Sequence, residues 1–222
     1  MNKNNLRKVF TIAFIIYAVF SVAFYYLSGD QLKYRVAEDK ISILEADSVT
    51  PEIVRGVVVS QSFVNTVDNI EQVSLVFTKM YREGKGLLSI DLLDGEELLY
   101  RKVVDVDQIP EQHRVYLEPE KPIRGLKGKT LTIKIYSSAK ANEGVSAMMN
   151  KTIQSEGSRI CIGDEVLEGS LCFSLSGSEK IEVSQYYWLI MGGMGILLAL
   201  LLHIFEQFIE EQLIIVKRSY KC

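Results

Sequence analysis

The chain has 222 residues, 48% of them hydrophobic, and a formal net charge of −3. That length holds one ordinary domain with appendages, and a mildly acidic chain without a long basic run argues against a nucleic-acid partner. Two histidines and three cysteines, scattered along the chain, show none of the spacings of a transition-metal site, so neither a metal nor a cofactor is expected.

In chain order, residues 1–8 are polar and carry Lys3, Arg7 and Lys8 with no acid. Residues 9–27, VFTIAFIIYAVFSVAFYYL, contain no charge and approach the ~20 apolar residues that span a ~30 Å hydrocarbon layer. A cleaved signal peptide is the alternative, with a basic start and Ser21-Val22-Ala23 as its cleavage site. The apolar run, however, continues past Ala23 into Tyr25 and Tyr26, aromatics suited to a membrane–water boundary, so an uncleaved anchor is expected. Residues 28–50 mix charges with scattered Val36, Ile41, Ile43 and Leu44 and read as a stalk.

From Pro51 the pattern becomes one of short strands. Val73, Leu75 and Phe77 alternate with Ser74, Val76 and Thr78, and Leu88, Ile90 and Leu92 alternate likewise before Asp94-Gly95, a pair suited to a type I′ hairpin. Similar runs follow at HRVYLEP, KTLTIKIYSS, RICIG and SLCFSLS, with Gly84, Gly86, Gly125, Gly128 and Gly177 as turns. Eight or nine strands at even spacing without an amphipathic helix predict an all-β antiparallel sandwich over residues 51–180. Cys161 and Cys172 flank CIGDEVLEGSLC, read as two short strands around Glu168-Gly169. Facing positions of such a hairpin would admit a disulfide in an oxidising compartment, two buried free thiols being the alternative.

The succession VRGVVVSQSF, VSLVFTKMYREGKGLLSIDLLDGEEL, YLEPEKPIRGLKGKTLTIKIYSS and ICIGDEVLEGSLCFSL, over about residues 51–176, resembles an extracytoplasmic module of Gram-positive membrane proteins. That module is often fused to multi-spanning glycosyltransferase-like or polysaccharide-assembly proteins, and it is similar to the jelly-roll sandwiches of carbohydrate-binding modules. The resemblance implies a jelly-roll-like domain that docks on glycan or on a partner, and it singles out a turn. Where family members commonly show YxRxNxG, this chain has Tyr81-Arg82-Glu83-Gly84-Lys85-Gly86, without the Asn.

Catalytic constellations are hard to find. His113 and His203 fall on opposite sides of the expected membrane, and HExxH, GxSxG, GxxxxGK[ST] and CxxC are absent, so no catalytic residue is assigned. A glycosidase needs only two carboxylates, and Asp105 and Asp107 would share one strand face; with so many exported acids such pairs arise by chance. Asp68, Asn69 and Glu71 lack the spacing of a calcium loop. A sugar site would instead use exposed aromatics as flat platforms. Among the exported tyrosines Tyr81, Tyr100, Tyr116 and Tyr136, alternation against Val115 and Leu117 sends Tyr116 outward most clearly; with Tyr81 and Arg82 it makes the candidate ligand contacts.

Residues 186–205, YYWLIMGGMGILLALLLHIF, form a second apolar run, and residues 206–222 continue its periodicity as a helical tail ending at Cys222. Gly192, Gly195 and Ala199 offer small surfaces at which a partner membrane helix can approach closely. Residues 28–185 carry 19 Lys and Arg against 25 Asp and Glu, whereas the N-terminal flank is purely basic. Positive-inside bias then puts both termini in the cytoplasm and the sandwich outside the plasma membrane. The expectation is a non-enzymatic accessory protein of cell-envelope polysaccharide assembly, touching the bilayer, a membrane protein and a glycan. A polysaccharide chain-length regulator, a structural subunit of a membrane complex and a carboxylate glycan hydrolase are the alternatives.

Overall fold

The structure, a computed structural model, describes residues 3–153 and 158–219. It comprises two compact units: Tyr34–Glu179, and the two flanking segments up to Lys33 and from Lys180. The first flank is helix α1 (Lys3–Leu27). Fourteen strands follow among the described residues, beginning with β1 (Lys33–Asp39), β2 (Ser48–Val49), β3 (Val58–Val64), β4 (Asn69–Thr78) and β5 (Leu87–Asp94). Next come β6 (Glu97–Asp105), β7 (His113–Leu117), β8 (Ile123–Arg124), β9 (Thr130–Ser137) and β10 (Ser146–Asn150). The last are β11 (Arg159–Ile162), β12 (Glu165–Leu167), β13 (Ser170–Leu171) and β14 (Phe173–Lys180). The second flank is one long helical stretch: α2 (Val183–Tyr186), wide π-type turns over Tyr187–Gly192, and α3 (Gly193–Ser219).

The strands make two antiparallel sheets, one of eight strands around β4 and one of six in the order β12-β11-β3-β9-β5-β6. Their inner faces carry the alternating apolar residues read from the sequence: Val73, Leu75 and Phe77 on β4, Leu88, Ile90 and Leu92 on β5, and Leu131, Ile133 and Ile135 on β9 are all buried. Phe63 and Phe173 meet across the two sheets with ring centroids 5.1 Å apart. Burying each such side chain contributes ~1.5–3 kcal/mol before the entropy of ordering is set against it.

Polar side chains also point inward, Gln61 foremost. Gln61, on β3 of the six-stranded sheet, is fully buried; its carbonyl accepts the Leu171 N–H at 2.9 Å and its amide donates to Ser158 and to the Ser62 carbonyl. Ser158 in turn lies 3.1 Å from Ser170. The amide therefore stitches β3 to β13 of the opposite sheet and satisfies groups that would be costly to bury alone.

Three local readings are corrected. The segment taken as a stalk is part of the sandwich: β1 lies beside β14, Lys40 donates to the Phe173 carbonyl at 3.0 Å, and β2 pairs with β10. Its apolar residues have a use, since Ile41 covers Val76 and Cys172 on the outer side of the eight-stranded sheet. The hairpin at Asp94 turns on Gly95-Glu96, with positive φ at Gly95 alone, the pattern of a type II′ turn rather than I′. Finally, Cys161 and Cys172 do not face each other. The hairpin turns at Gly163-Asp164, and Glu168-Gly169 carries the chain to the other sheet, so Cys161 pairs with Ser60 and Val166 while Cys172 is buried beside Ile41. Both are free thiols.

α1 and α3 lie side by side in the helical unit. Arg7 Nε donates to Glu206 Oε1 at 2.6 Å, Phe10 and Phe205 are 6.2 Å apart, and the Tyr186 hydroxyl donates to the Ser21 carbonyl at 3.0 Å. Both helical stretches, Asn5–Leu27 and Val183–Glu211, are long and apolar enough to cross a membrane, and their apolar side chains are largely exposed, which is consistent with membrane anchoring.

Burial, with the nearby Glu45 and Asp47 charges, pushes the Cys172 thiol up to about 11. At pH 8 roughly a thousandth of it is thiolate. In a Cys222→Ser chain, maleimide is expected to label Cys161 at least ~100-fold faster than Cys172. Equal rates, or a disulfide-linked peptide pair on mass mapping, would contradict the separation of the two thiols.

Candidate functional site

The outer face of the eight-stranded sheet is polar where the segment around Ile41 does not cover it. The cause is a break in alternation at Asn69-Ile70-Glu71-Gln72-Val73. Ile70 and Val73 are both buried in the core although three residues apart. The pairing explains this: Gln72 opposes Ser176 and Ile70 opposes Gly177, so Glu71 is the extra residue of a β-bulge. The bulge turns Glu71 and Gln72 both outward. Gly177 makes it possible, because a Cβ there would overlap the Asn69 carbonyl and crowd Val67.

Beyond the bulge, cross-strand pairing lays the polar groups out in rows. Tyr116 on β7 opposes Ser74 on β4, which opposes Ser174 on β14. Arg114 lies across this row, its Nη1 donating to Ser174 Oγ at 2.9 Å and Ser74 Oγ at 3.2 Å, with Asp39 Oδ1 3.6 Å away. In the next row the Gln72 amide donates to Glu118, and Ser176 stands opposite. Arg35 on β1, 3.3 Å from Glu71, closes a groove of about 480 Å³ lined by Glu71, Gln72, Glu118 and Ser176. The Tyr116 ring, 43% exposed, stands one row from the groove.

The other sequence-derived contacts lie elsewhere. Tyr81 is in the loop past the end of β4, 98% exposed, and both it and Met80 adopt left-handed backbone (φ 63° and 52°). Two successive bulky residues in that region are strained. Glu111 holds them, accepting from the Thr78 hydroxyl, the Tyr81 N–H at 2.8 Å and the Lys79 N–H at 3.2 Å. The Thr78 hydroxyl foremost, then these amides, keep the Glu111 carboxyl below its usual range. Arg82 turns inward, Nη1 donating to the Gly144 carbonyl and Ser146 Oγ at 3.4 Å each, with Glu52 3.9 Å away. It braces three segments. The structure therefore does not unite Tyr81 and Arg82 with Tyr116.

Tyr136 donates to Asp91 at 3.3 Å, and Arg101 clasps the same carboxylate through Nε at 2.6 Å and Nη2 at 2.8 Å, a closed cluster on the six-stranded sheet. Tyr100 is partly buried against the core. Asp105 and Asp107 do not share a strand face, since β6 ends at Asp105 and Val106–Gln108 form a 3₁₀ turn. Asp68, Asn69 and Glu71 diverge toward Lys127, Ser178 and Arg35. Among the described residues no three His, Cys, Asp or Glu side chains converge as metal ligands would. Gly195 and Ala199 face α1 of the same chain, with Phe14 3.8 Å from where a Gly195 Cβ would sit, while Gly192 is nearest its own helix's Trp188. Cys222 and residues 154–157 lie outside the described residues.

No protein-family model matches the chain, and no curated protein matches it. Among solved structures it is similar to an active-site mutant of a family two carbohydrate esterase from Clostridium thermocellum in complex with celluohexase, at 9% identity and a TM-score of 0.25 over 61% of this chain and 33% of that one. It is also similar to the structure of infectious bursal disease virus Gx strain, at 13% identity and a TM-score of 0.28 over 68% of this chain and 37% of that one. The chain thus spans about a third of either, and neither likeness bears on the site.

Two outcomes are expected here. Gly177→Ala should lower stability by about 1–3 kcal/mol in chemical denaturation of the full chain in detergent; an unchanged midpoint would mean that the bulge tolerates a side chain. Because the Glu111 carboxyl is held low, its grip on the loop is complete above the ordinary glutamate range and fades as pH falls through its lowered value. Relative to intrinsic rates, protection of the Lys79 and Tyr81 amides from exchange should therefore drop as pH falls below the ordinary glutamate range, and already at pH 7 in Glu111→Gln.

Proposed function

We propose that the chain is a non-enzymatic, membrane-anchored accessory protein of cell-envelope polysaccharide assembly whose sandwich binds glycan on the outer face of the eight-stranded sheet. The observation that carries this reading is the combination of an outward Tyr116 ring with rows of hydroxyl, amide and guanidinium groups leading into an open groove. Sugars need both elements: a flat apolar surface for the ring's C–H face, and fixed donors and acceptors for its hydroxyls. Adjacent strands are ~4.8 Å apart, close to the length of one pyranose, so successive strands can address successive rings.

On this reading both termini are cytoplasmic and the sandwich is outside, as the basic N-terminal flank and the acidic middle of the chain favour. The exported part of a chain-length regulator is expected to be rich in helix; the β architecture of residues 34–179 favours glycan display instead.

The test is a glycan array, then calorimetric titration of the best hit into the full chain in detergent. Tyr116→Ala should weaken binding about 2- to 10-fold with unchanged thermal unfolding, whereas Tyr81→Ala should leave affinity as it was. Absence of any glycan ligand, or indifference to Tyr116→Ala, would refute the assignment.

A further inference from the structure

We propose that the cleft between α1 and α3 holds one anionic phospholipid, with an acyl chain against Phe10, Phe14 and Gly195 and the phosphate at Arg7. The proposal rests on the helices spanning the bilayer.

The cleft has a volume of about 440 Å³. Phe10, Phe14, Leu198 and Leu202 wall it, Gly195 and Ala199 leave its floor open, and Arg7 with Thr11 stands at its mouth. It fits an extended hydrocarbon chain better than a third helix, whose ~10 Å diameter exceeds the space between two helices already joined through Phe10–Phe205 and Arg7–Glu206.

A second, independent observation sets the depth of the cleft. At the far end of the pair, the tilted rings of Tyr25 and Tyr186 lie 5.0 Å apart, the Tyr25 hydroxyl donates to the Ile181 carbonyl at 2.9 Å, and Lys180 Nζ sits 4.3 Å over the Tyr25 ring. With Tyr26 and Trp188 exposed beside them, these are the residues of a membrane–water boundary. Arg7 precedes Tyr25 by eighteen residues of continuous helix, ~27 Å at 1.5 Å per residue, against a ~30 Å hydrocarbon layer. The mouth of the cleft thus falls at the phosphate plane of the opposite leaflet.

The charge there suits an anion. Glu206 engages the Arg7 Nε–H and fixes the side chain, leaving the terminal N–H groups of the guanidinium for a phosphate oxygen. Lys8 is exposed next to it, and the N-terminal flank carries Lys3 but no carboxylate. Glu206 is the acid paired with Arg7. Each surface cation is worth about 5-fold in affinity for anionic lipid.

Native mass spectrometry of the full chain, released from nanodiscs holding equal phosphatidylglycerol and phosphatidylcholine, tests the site. One phosphatidylglycerol should be retained in preference. Arg7→Gln should cut that preference about 5-fold, Arg7→Lys should restore it, and Gly195→Leu or Ala199→Leu, which fill the cleft, should abolish retention while the sandwich melts as before. Equal retention of both lipids, or full retention in both filled variants, would overturn the proposal. Release of the chain from membranes by alkaline carbonate would instead overturn the anchor on which it rests.

Discussion

The sandwich depends on strand β4 having one face it must bury. Ile70, Val73, Leu75 and Phe77 are all in the core, and a slip of one residue in register would exchange them for Glu71, Gln72, Ser74 and Val76. The strand is therefore pinned against each neighbour that pairs with it, β7, β8, β10 and β14. Because the inner face is committed, the outer face is free to be polar, and what it presents follows from the same register. The Tyr116–Ser74–Ser174 row exists because Val115, Leu75 and Phe173 point the other way.

The groove needs one departure from regularity. An unbroken β4 would send either Glu71 or Gln72 inward, where neither a carboxylate nor an amide would find enough partners. The bulge avoids this by adding one residue, at the cost of requiring a position without Cβ opposite. The two backbones approach so closely at Gly177 that no side chain fits, so the groove and the glycine are one device. The Tyr81 loop is a different case. There the strained backbone is held by the Glu111 carboxylate together with the Thr78 hydroxyl, which accepts the Met80 N–H.

Much of this was legible in the sequence, because period-2 alternation reports directly on burial. The inward sets of β4, β5 and β9, the outward Tyr116 and the two apolar helices were all read correctly from it. What was missed depended on partners distant in the chain. Nothing local in KYRVAED says that it will lie beside a strand 140 residues later, so residues 33–39 passed for a stalk and Arg35 went unnoticed as a wall of the groove. The spacing of Ile70 and Val73 was a visible signal, since two buried residues three apart in a strand require a bulge, and it would have exposed Glu71 and Gln72. Of the two readings of Cys161 and Cys172, the disulfide fails because spacing along the chain cannot show that a strand has changed sheets. Gly195 and Ala199 were read as a surface for a partner helix, whereas here they face α1 of the same chain across a cleft.

β1 and β14 are the first and last strands, and they run side by side, with Ile181 donating to the Leu32 carbonyl at 2.9 Å and Tyr34 to Glu179 at 3.0 Å. The domain's two ends are consequently clasped together before each continues toward its own helix. Two adjacent legs thus leave the sandwich. Tension drawn through both legs would part the clasp from its open end one bond after another, rather than shearing many bonds together, so the joint would yield at low force while the core behind it stayed intact.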